Sequence, residues 1–216
     1  MHLNNNDYIT IGNKKDSLLN IIWFHGYGSN NWSFETTLKI VNMRLNDNGY
    51  IIIPNAPCIE GKNSWYPLPT RNLEGELVED HNGLIKSVED VDSFIESLSL
   101  DNDKKLIVGG FSQGAALSLS LLFESQHKID GCIALSGYMP SAEIFESYEL
   151  NNENIFIAHG YEDKAISYED FIKTLAFLNE KSNKIVKNVG NFGHTITNEV
   201  TDSLVKWVSE NIMSPQ

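Results

Sequence analysis

Cysteine is scarce in this chain: Cys58 and Cys132 are the only two among 216 residues, far apart and with no CxxC or Cys/His cluster beside either. A structural zinc site or a disulfide framework is therefore not expected, and the two are read as ordinary thiols. Long apolar runs are missing as well. None approaches the ~18–20 residues needed to cross a bilayer. The opening Met1-His2-Leu3-Asn4-Asn5-Asn6-Asp7 lacks the basic and apolar regions of a signal peptide, so a cytoplasmic protein is expected. Basic residues are few: 16 Lys and Arg against 29 Asp and Glu leave a formal net charge of −13. Such a charge repels phosphate backbones and anionic headgroups, which excludes nucleic acid as the expected partner. No repeat or low-complexity linker divides the chain, so residues 1–216 are read as a single domain.

What is present is alternation. Short apolar runs of the kind that form buried strands occur at Leu19–Phe24, Tyr50–Pro54, Leu106–Gly110, Gly131–Ser136, Ile155–Ala158 and Ile185–Val189, with Tyr8–Ile11 as an edge strand. Between them lie segments of helical spacing. In Gly83–Leu100 the residues Leu84, Val88, Val91, Ile95 and Leu98 fall on one face. Further helices are expected at Gln113–Glu124, Tyr168–Leu178 and Asn198–Ile212. Strands alternating with helices imply an α/β fold of about seven strands: a doubly wound, mostly parallel sheet with helices on both faces and no separate cap domain. Residues 58–82 break the alternation. Their block Trp65-Tyr66-Pro67-Leu68-Pro69 marks them as a lid or pocket loop.

Gly110-Phe111-Ser112-Gln113-Gly114 matches GxSxG, a pentapeptide short enough to arise by chance. Its setting is what matters. It follows the strand-like Leu106-Ile107-Val108-Gly109 and opens a helix-like segment, the strand–turn–helix context of a nucleophile elbow. A serine hydroxyl is a weak nucleophile near neutral pH and needs a base held by an acid. On such a fold the order is Ser, then Asp or Glu, then His. Of the histidines after Ser112, His127 is expected to face solvent and His159 precedes any well-placed acid. His194, after the last strand and beside Gly193 for a tight turn, is the candidate base. Asp163 follows the strand Ile155–Ala158 and is the candidate acid, with the adjacent Glu162 as its rival. Oxyanion donors are expected from the Gln113 amide and from the Tyr27 amide in His25-Gly26-Tyr27-Gly28. His25 itself reads as a structural hydrogen-bonding residue.

Together these residues resemble the acyl-protein thioesterase/carboxylesterase (phospholipase/carboxylesterase) family of α/β-hydrolases. The resemblance is carried by Phe24-His25-Gly26-Tyr27-Gly28, Pro54-Asn55-Ala56-Pro57, Ser64-Trp65-Tyr66, Gly109 to Ala115, Ala134-Leu135-Ser136-Gly137, His159-Gly160 with Asp163, and Gly193-His194-Thr195-Ile196. It implies a serine carboxylesterase or thioesterase acting on small-molecule or lipid acyl substrates without metal or cofactor. Ser112, Asp163 and His194 would form its triad, and Tyr27 and Gln113 its oxyanion hole. Trp65, Met139, Ala165, Ile166 and Ile196 flank the expected site and are either pocket residues or plain core. The chain departs from the family at Tyr27, often Leu there, at Asn55, where many members carry His, and in the acidic segment after Trp65. Protein depalmitoylation is therefore not carried over. The rivals are a peptidase or lactone hydrolase with the same triad and a non-catalytic binding protein of the same fold.

Overall fold

The computed structural model describes residue 4 and residues 7–74, 77–150, 153–182 and 184–214. The signal-peptide reading of the start falls partly, and the lid reading at residues 75 and 76, outside the described residues.

Seven strands form one sheet: β1 (Tyr8–Ile11), β2 (Leu19–Phe24), β3 (Gly49–Pro54), β4 (Lys105–Phe111), β5 (Gly131–Leu135), β6 (Asn154–Gly160) and β7 (Ile185–Gly190). Their spatial order is β1-β3-β2-β4-β5-β6-β7. Only β1 runs antiparallel, its Tyr8 opposite Pro54 and its Ile11 opposite Ile51. All six residues of β2 and all five of β5 are buried, as expected of parallel strands covered on both faces.

The strand period of two sorts these side chains into two cores. Ile22, Phe24, Ile52 and Val108 point to one face, where α2 (His81–Ser97), α3 (Gln113–Glu124) and α4 (Tyr168–Lys181) pack. Ile21, Trp23, Ile51 and Ile107 point to the other, covered by α1 (Glu35–Arg44) and α5 (Asn198–Trp207). The chain is therefore doubly wound, a mostly parallel sheet with helices on both faces. After β5 a short 3-10 turn spans Ala142–Phe145, and α5 continues into a π-helical turn at Val208–Met213. Among the described residues no helix is long and apolar enough to cross a membrane.

Helix α1 has no counterpart among the expected helices. Its inward residues Leu38, Val41 and Asn42 have helical spacing, but one of the three is polar. Asn42 is buried because its side-chain oxygen accepts the Gly49 amide at 2.9 Å, fixing the start of β3. A polar residue on the core face hides the apolar stripe from a periodicity reading. Helix α2 begins two residues before the expected Gly83, where Asp80 caps it by accepting the Gly83 amide at 2.9 Å.

Among the described residues of 58–82, Ser64, Trp65 and Tyr66 are buried and short strands flank them. Cys58–Ile59 pairs with Lys62–Asn63, and Thr70–Arg71 with Leu77–Val78, in two short antiparallel ladders. The first turns through Glu60 and Gly61, both at positive φ, as a two-residue hairpin turn requires.

The chain reverses direction across the sheet between β2 and β4: β3 lies on one side of β2, and β4 returns to the other. In open parallel sheets the crevice at the carboxyl ends beside such a switch is where ligands bind. β2 runs out there into His25-Gly26-Tyr27, and β4 is followed there by Ser112.

Candidate active site

Ser112 adopts φ 57° and ψ −119°, a conformation that L-residues rarely take. The strain is held by the packing around it. The Ser112 amide donates to Leu135 O at 2.9 Å, and the Ser112 carbonyl accepts the amides of Ala115 and Ala116. The neighbouring glycines are a steric requirement. A Cβ on Gly114 would lie 2.1 Å from Phe24 O, and one on Gly110 would lie 2.6 Å from the same oxygen. Strand β2 and helix α3 therefore approach closely enough to set the serine at a sharp corner.

Two backbone amides are available near it. Gln113 is the first residue of α3, so its N–H has no partner within the helix. The β2 end makes a tight turn in which Ser29 N–H donates to Gly26 O at 3.1 Å with Gly28 at φ +71°. Asn63 O takes the Gly28 amide at 2.7 Å, and neither bond uses the Tyr27 amide. The turn lies against the serine, since a Cβ on Gly26 would be 3.4 Å from Ser112 Cβ.

The acid and base candidates meet through stitched loops. Tyr161 N–H donates to Gly190 O and Glu162 N–H to Phe192 O, tying the end of β6 to the end of β7. His194 Nδ1 then lies 2.7 Å from Asp163 Oδ2. The other oxygen, Asp163 Oδ1, accepts the amides of Ala165 at 2.9 Å and Ile166 at 3.0 Å. Asp163 is buried, whereas its rival Glu162 is exposed. The His194 ring packs on Phe111, with centroids 4.7 Å apart, which sets it beside the serine corner. Gly193 is not the glycine this loop requires. A Cβ there would meet only Glu162 O at 3.7 Å, whereas one on Gly160 would be 1.9 Å from Phe192 O. The tight approach is at the end of β6, a contact between segments that no local pattern reveals.

Two further histidines are structural. His25 is fully buried, its Nδ1 2.8 Å from Gly26 O, and its Nε2 accepts the Ala56 amide at 3.1 Å. It joins the end of β2 to the end of β3. His159 stacks on Phe171 and reaches Ile166 O from Nε2 at 3.1 Å. Burial lowers the pKa of both below the ordinary 6.5, outweighing the Gly26 and Asn55 oxygens that favour a protonated His25 and the Ile166 bond and Asp163 charge at His159. In the unfolded chain both return to their ordinary value, so below about pH 6.5 the unfolded state binds more protons. Their contribution to stability is complete above about pH 7 and is lost progressively as pH falls below their ordinary value. Thermal unfolding midpoints measured between pH 5 and 8 are expected to fall on acidification, and a flat profile would contradict this. His127 is half-buried on Asp92 O at 3.0 Å instead of facing solvent.

The expected pocket residues separate into two groups. Met139, Ala165 and Ile166 line a cleft of about 630 Å³ together with Ser112, Gln113 and Tyr27. Trp65 and Ile196 are not among its lining residues. Trp65 is 3% exposed, donates from Nε1 to His25 O at 2.7 Å and stacks edge-on against Phe24. It braces the loop from behind and lines a separate cavity of about 280 Å³. Ile196 packs into the opposite core with α5. The neighbouring Tyr66, with Leu68, Glu79 and Tyr138, forms the wall of the cleft. Tyr138 follows the end of β5, a position that by itself could have flagged it.

The Gln113 side chain is the feature with the least warning in the sequence. Its Oε1 accepts the Trp65 amide at 3.1 Å, while Nε2 donates to Ser64 Oγ at 3.0 Å and to Tyr66 O at 2.8 Å. It latches residues 64–66 onto the elbow. Gln113→Glu cannot donate and places a carboxylate against the Tyr66 carbonyl. Calorimetry is expected to show a melting point lower by about 4–8 °C, and an unchanged one would refute the latch.

Residues 5–212 match the family model described as Phospholipase/Carboxylesterase. The chain is 30% identical over 208 residues to acyl-protein thioesterase 1 homolog 1 of Dictyostelium discoideum, covering 89% of this chain and 90% of that one. It is 32% identical over 213 residues to acyl-protein thioesterase 1 of Candida albicans, covering 87% and 90%. Among solved structures it resembles Zea mays acyl-protein thioesterase 2, with TM-score 0.78, 21% identity and coverage of 94% and 98%. Esterase PE8 matches in fold with TM-score 0.81, 20% identity and coverage of 98% and 100%.

Proposed function

Because the chain belongs to the phospholipase/carboxylesterase family, we propose that it hydrolyses acyl esters or thioesters through an acyl-enzyme formed on Ser112. It is a carboxylic ester or thioester hydrolase, as its relatives are. In the proposed mechanism His194 takes the Ser112 proton while Ser112 attacks the substrate carbonyl. The Tyr27 and Gln113 amides receive the oxyanion. His194 then protonates the leaving group and activates the water that releases the acid. Asp163 holds the imidazole with Nδ1 protonated, so that Nε2 faces the reaction, and stabilises the imidazolium that forms.

The single observation that carries this reading is the Asp163–His194 pair at 2.7 Å, with the His194 ring packed on Phe111, the residue before a serine in strained elbow geometry. Residues 1–216 act as one domain in this reading, on small-molecule or lipid acyl substrates. A cytoplasmic setting is part of it. The test is labelling by a fluorophosphonate probe followed by peptide mapping. The adduct is expected on Ser112, and competition by matched thioesters and oxygen esters ranks the leaving groups. A folded protein that takes no label at Ser112 would sink the proposal.

A further inference from the structure

We propose that the cleft beside Ser112 selects acyl substrates carrying a positively charged amino group, received by the Glu79 carboxylate. This rests on the hydrolase reading above. Glu79, Tyr66 and Tyr138 line the cleft together with Ser112. The Tyr138 hydroxyl donates to Glu79 Oε1 at 3.0 Å. Tyr66 lies fully buried on the same wall. A phenol has one proton to give, and that of Tyr138 is committed to Glu79. A carboxylate has about four lone-pair sites, and Tyr138 occupies one.

A second observation points the same way. Ser141 lines the cleft, is 4% exposed, and its Oγ has no hydrogen-bond partner among the described residues. An unmatched hydroxyl at a cleft wall is an acceptor for a further N–H.

The electrostatics favour a cation over a neutral donor. Glu143 and Asp170 also line the cleft, against one lysine among the described residues, Lys173, whose Nζ is taken by Glu169 at 2.8 Å. Glu143 lies 3.3 Å from His81, and Asp170 accepts the Ser167 hydroxyl at 2.6 Å. Burial raises the Glu79 carboxyl above its ordinary range against the Tyr138 bond, with the Glu143 charge adding to the rise and His81 opposing it. An incoming ammonium brings a full positive charge to that carboxyl. A wholly apolar chain strips water from Glu79 without replacing it. The methylenes of an aminoacyl chain still find Met139, Ala165 and Ile166 on the same walls.

The test compares 4-nitrophenyl 6-aminohexanoate with 4-nitrophenyl heptanoate, which differ by an ammonium in place of a methyl group. Wild type is expected to favour the ammonium ester by about tenfold in kcat/KM. Glu79→Gln is expected to reduce that ratio by about tenfold and Ser141→Ala by about threefold. A preference for heptanoate, or a ratio that Glu79→Gln leaves unchanged, overturns the proposal. Protection from the fluorophosphonate probe gives a second readout independent of turnover. Hexylammonium is expected to slow labelling more than 1-hexanol in wild type, with the difference lost in Glu79→Gln. Equal protection by the two refutes the subsite while leaving the hydrolase reading intact. A folded protein that fails to label at Ser112 removes that reading, and the subsite with it.

Discussion

Ser112→Ala is expected to lower kcat for ester hydrolysis by about five orders of magnitude, and His194→Ala by a similar factor. The two are not additive, because a serine without its base and a base without its serine abolish the same proton transfer. Asp163→Asn is expected to cost about 10⁴-fold, since an amide facing Nδ1 no longer stabilises the imidazolium and favours the wrong tautomer. Glu162→Gln is the internal contrast. Glu162 is adjacent in sequence but exposed, so its substitution is expected to leave kcat within about twofold of wild type. Steady-state kinetics on a common ester, with circular dichroism to verify folding, measures all four. Near-native turnover in Ser112→Ala or Asp163→Asn would contradict the mechanism. A large loss in Glu162→Gln would transfer the acid role to the neighbour.

The second large effect is on stability. Gly114→Ala adds one methyl group, yet that Cβ would lie 2.1 Å from Phe24 O and 2.7 Å from His25 O. Both contacts are to backbone, which does not rotate away as a side chain does. The substitution must push α3 off β2, and it loosens the elbow, the Gln113 amide and the His25-Gly26-Tyr27 turn together. A loss of about 3 kcal/mol or more is expected, lowering the melting point by roughly 6–12 °C. Gly193→Ala serves as the comparison, because its Cβ would meet only an ordinary contact at 3.7 Å. Calorimetry of the two variants is expected to separate them clearly. A Gly114→Ala protein with the wild-type melting point would show that the close approach of α3 to β2 is not what requires glycine there.

The sheet was legible because parallel strands covered on both faces leave continuous apolar runs. Leu19–Phe24 and Gly131–Leu135 are buried throughout and were readable at almost their observed bounds. Helix α1 was not legible, since Asn42 sits on its inward face where an apolar residue would have completed the stripe. Trp65 illustrates a different limit. Its aromatic–proline neighbourhood marked a packed segment, but the side chain lies behind the cleft wall and Tyr66 faces it. Adjacent residues in an irregular segment have no fixed period from which to assign a side.

Composition, periodicity and the GxSxG pattern in its strand–turn–helix context were enough to determine an alternating α/β chain with a serine at a sharp corner. Spacing along the chain also narrowed the candidate acid to two neighbours and singled out one histidine as the candidate base, because catalytic groups on such a sheet follow strand ends. Tertiary structure alone distinguishes Asp163 from Glu162, one buried against His194 and the other left in solvent, and that difference supports Asp163 as the proposed acid. It alone placed the required glycine at 160 instead of 193, turned the Gln113 side chain into a latch, and set Glu79, Tyr138 and Ser141 around the cleft. Local patterns record which face of an element is buried. Which distant segments meet on that face depends on how strands order and loops stitch, information carried by long-range packing and not by any window of sequence.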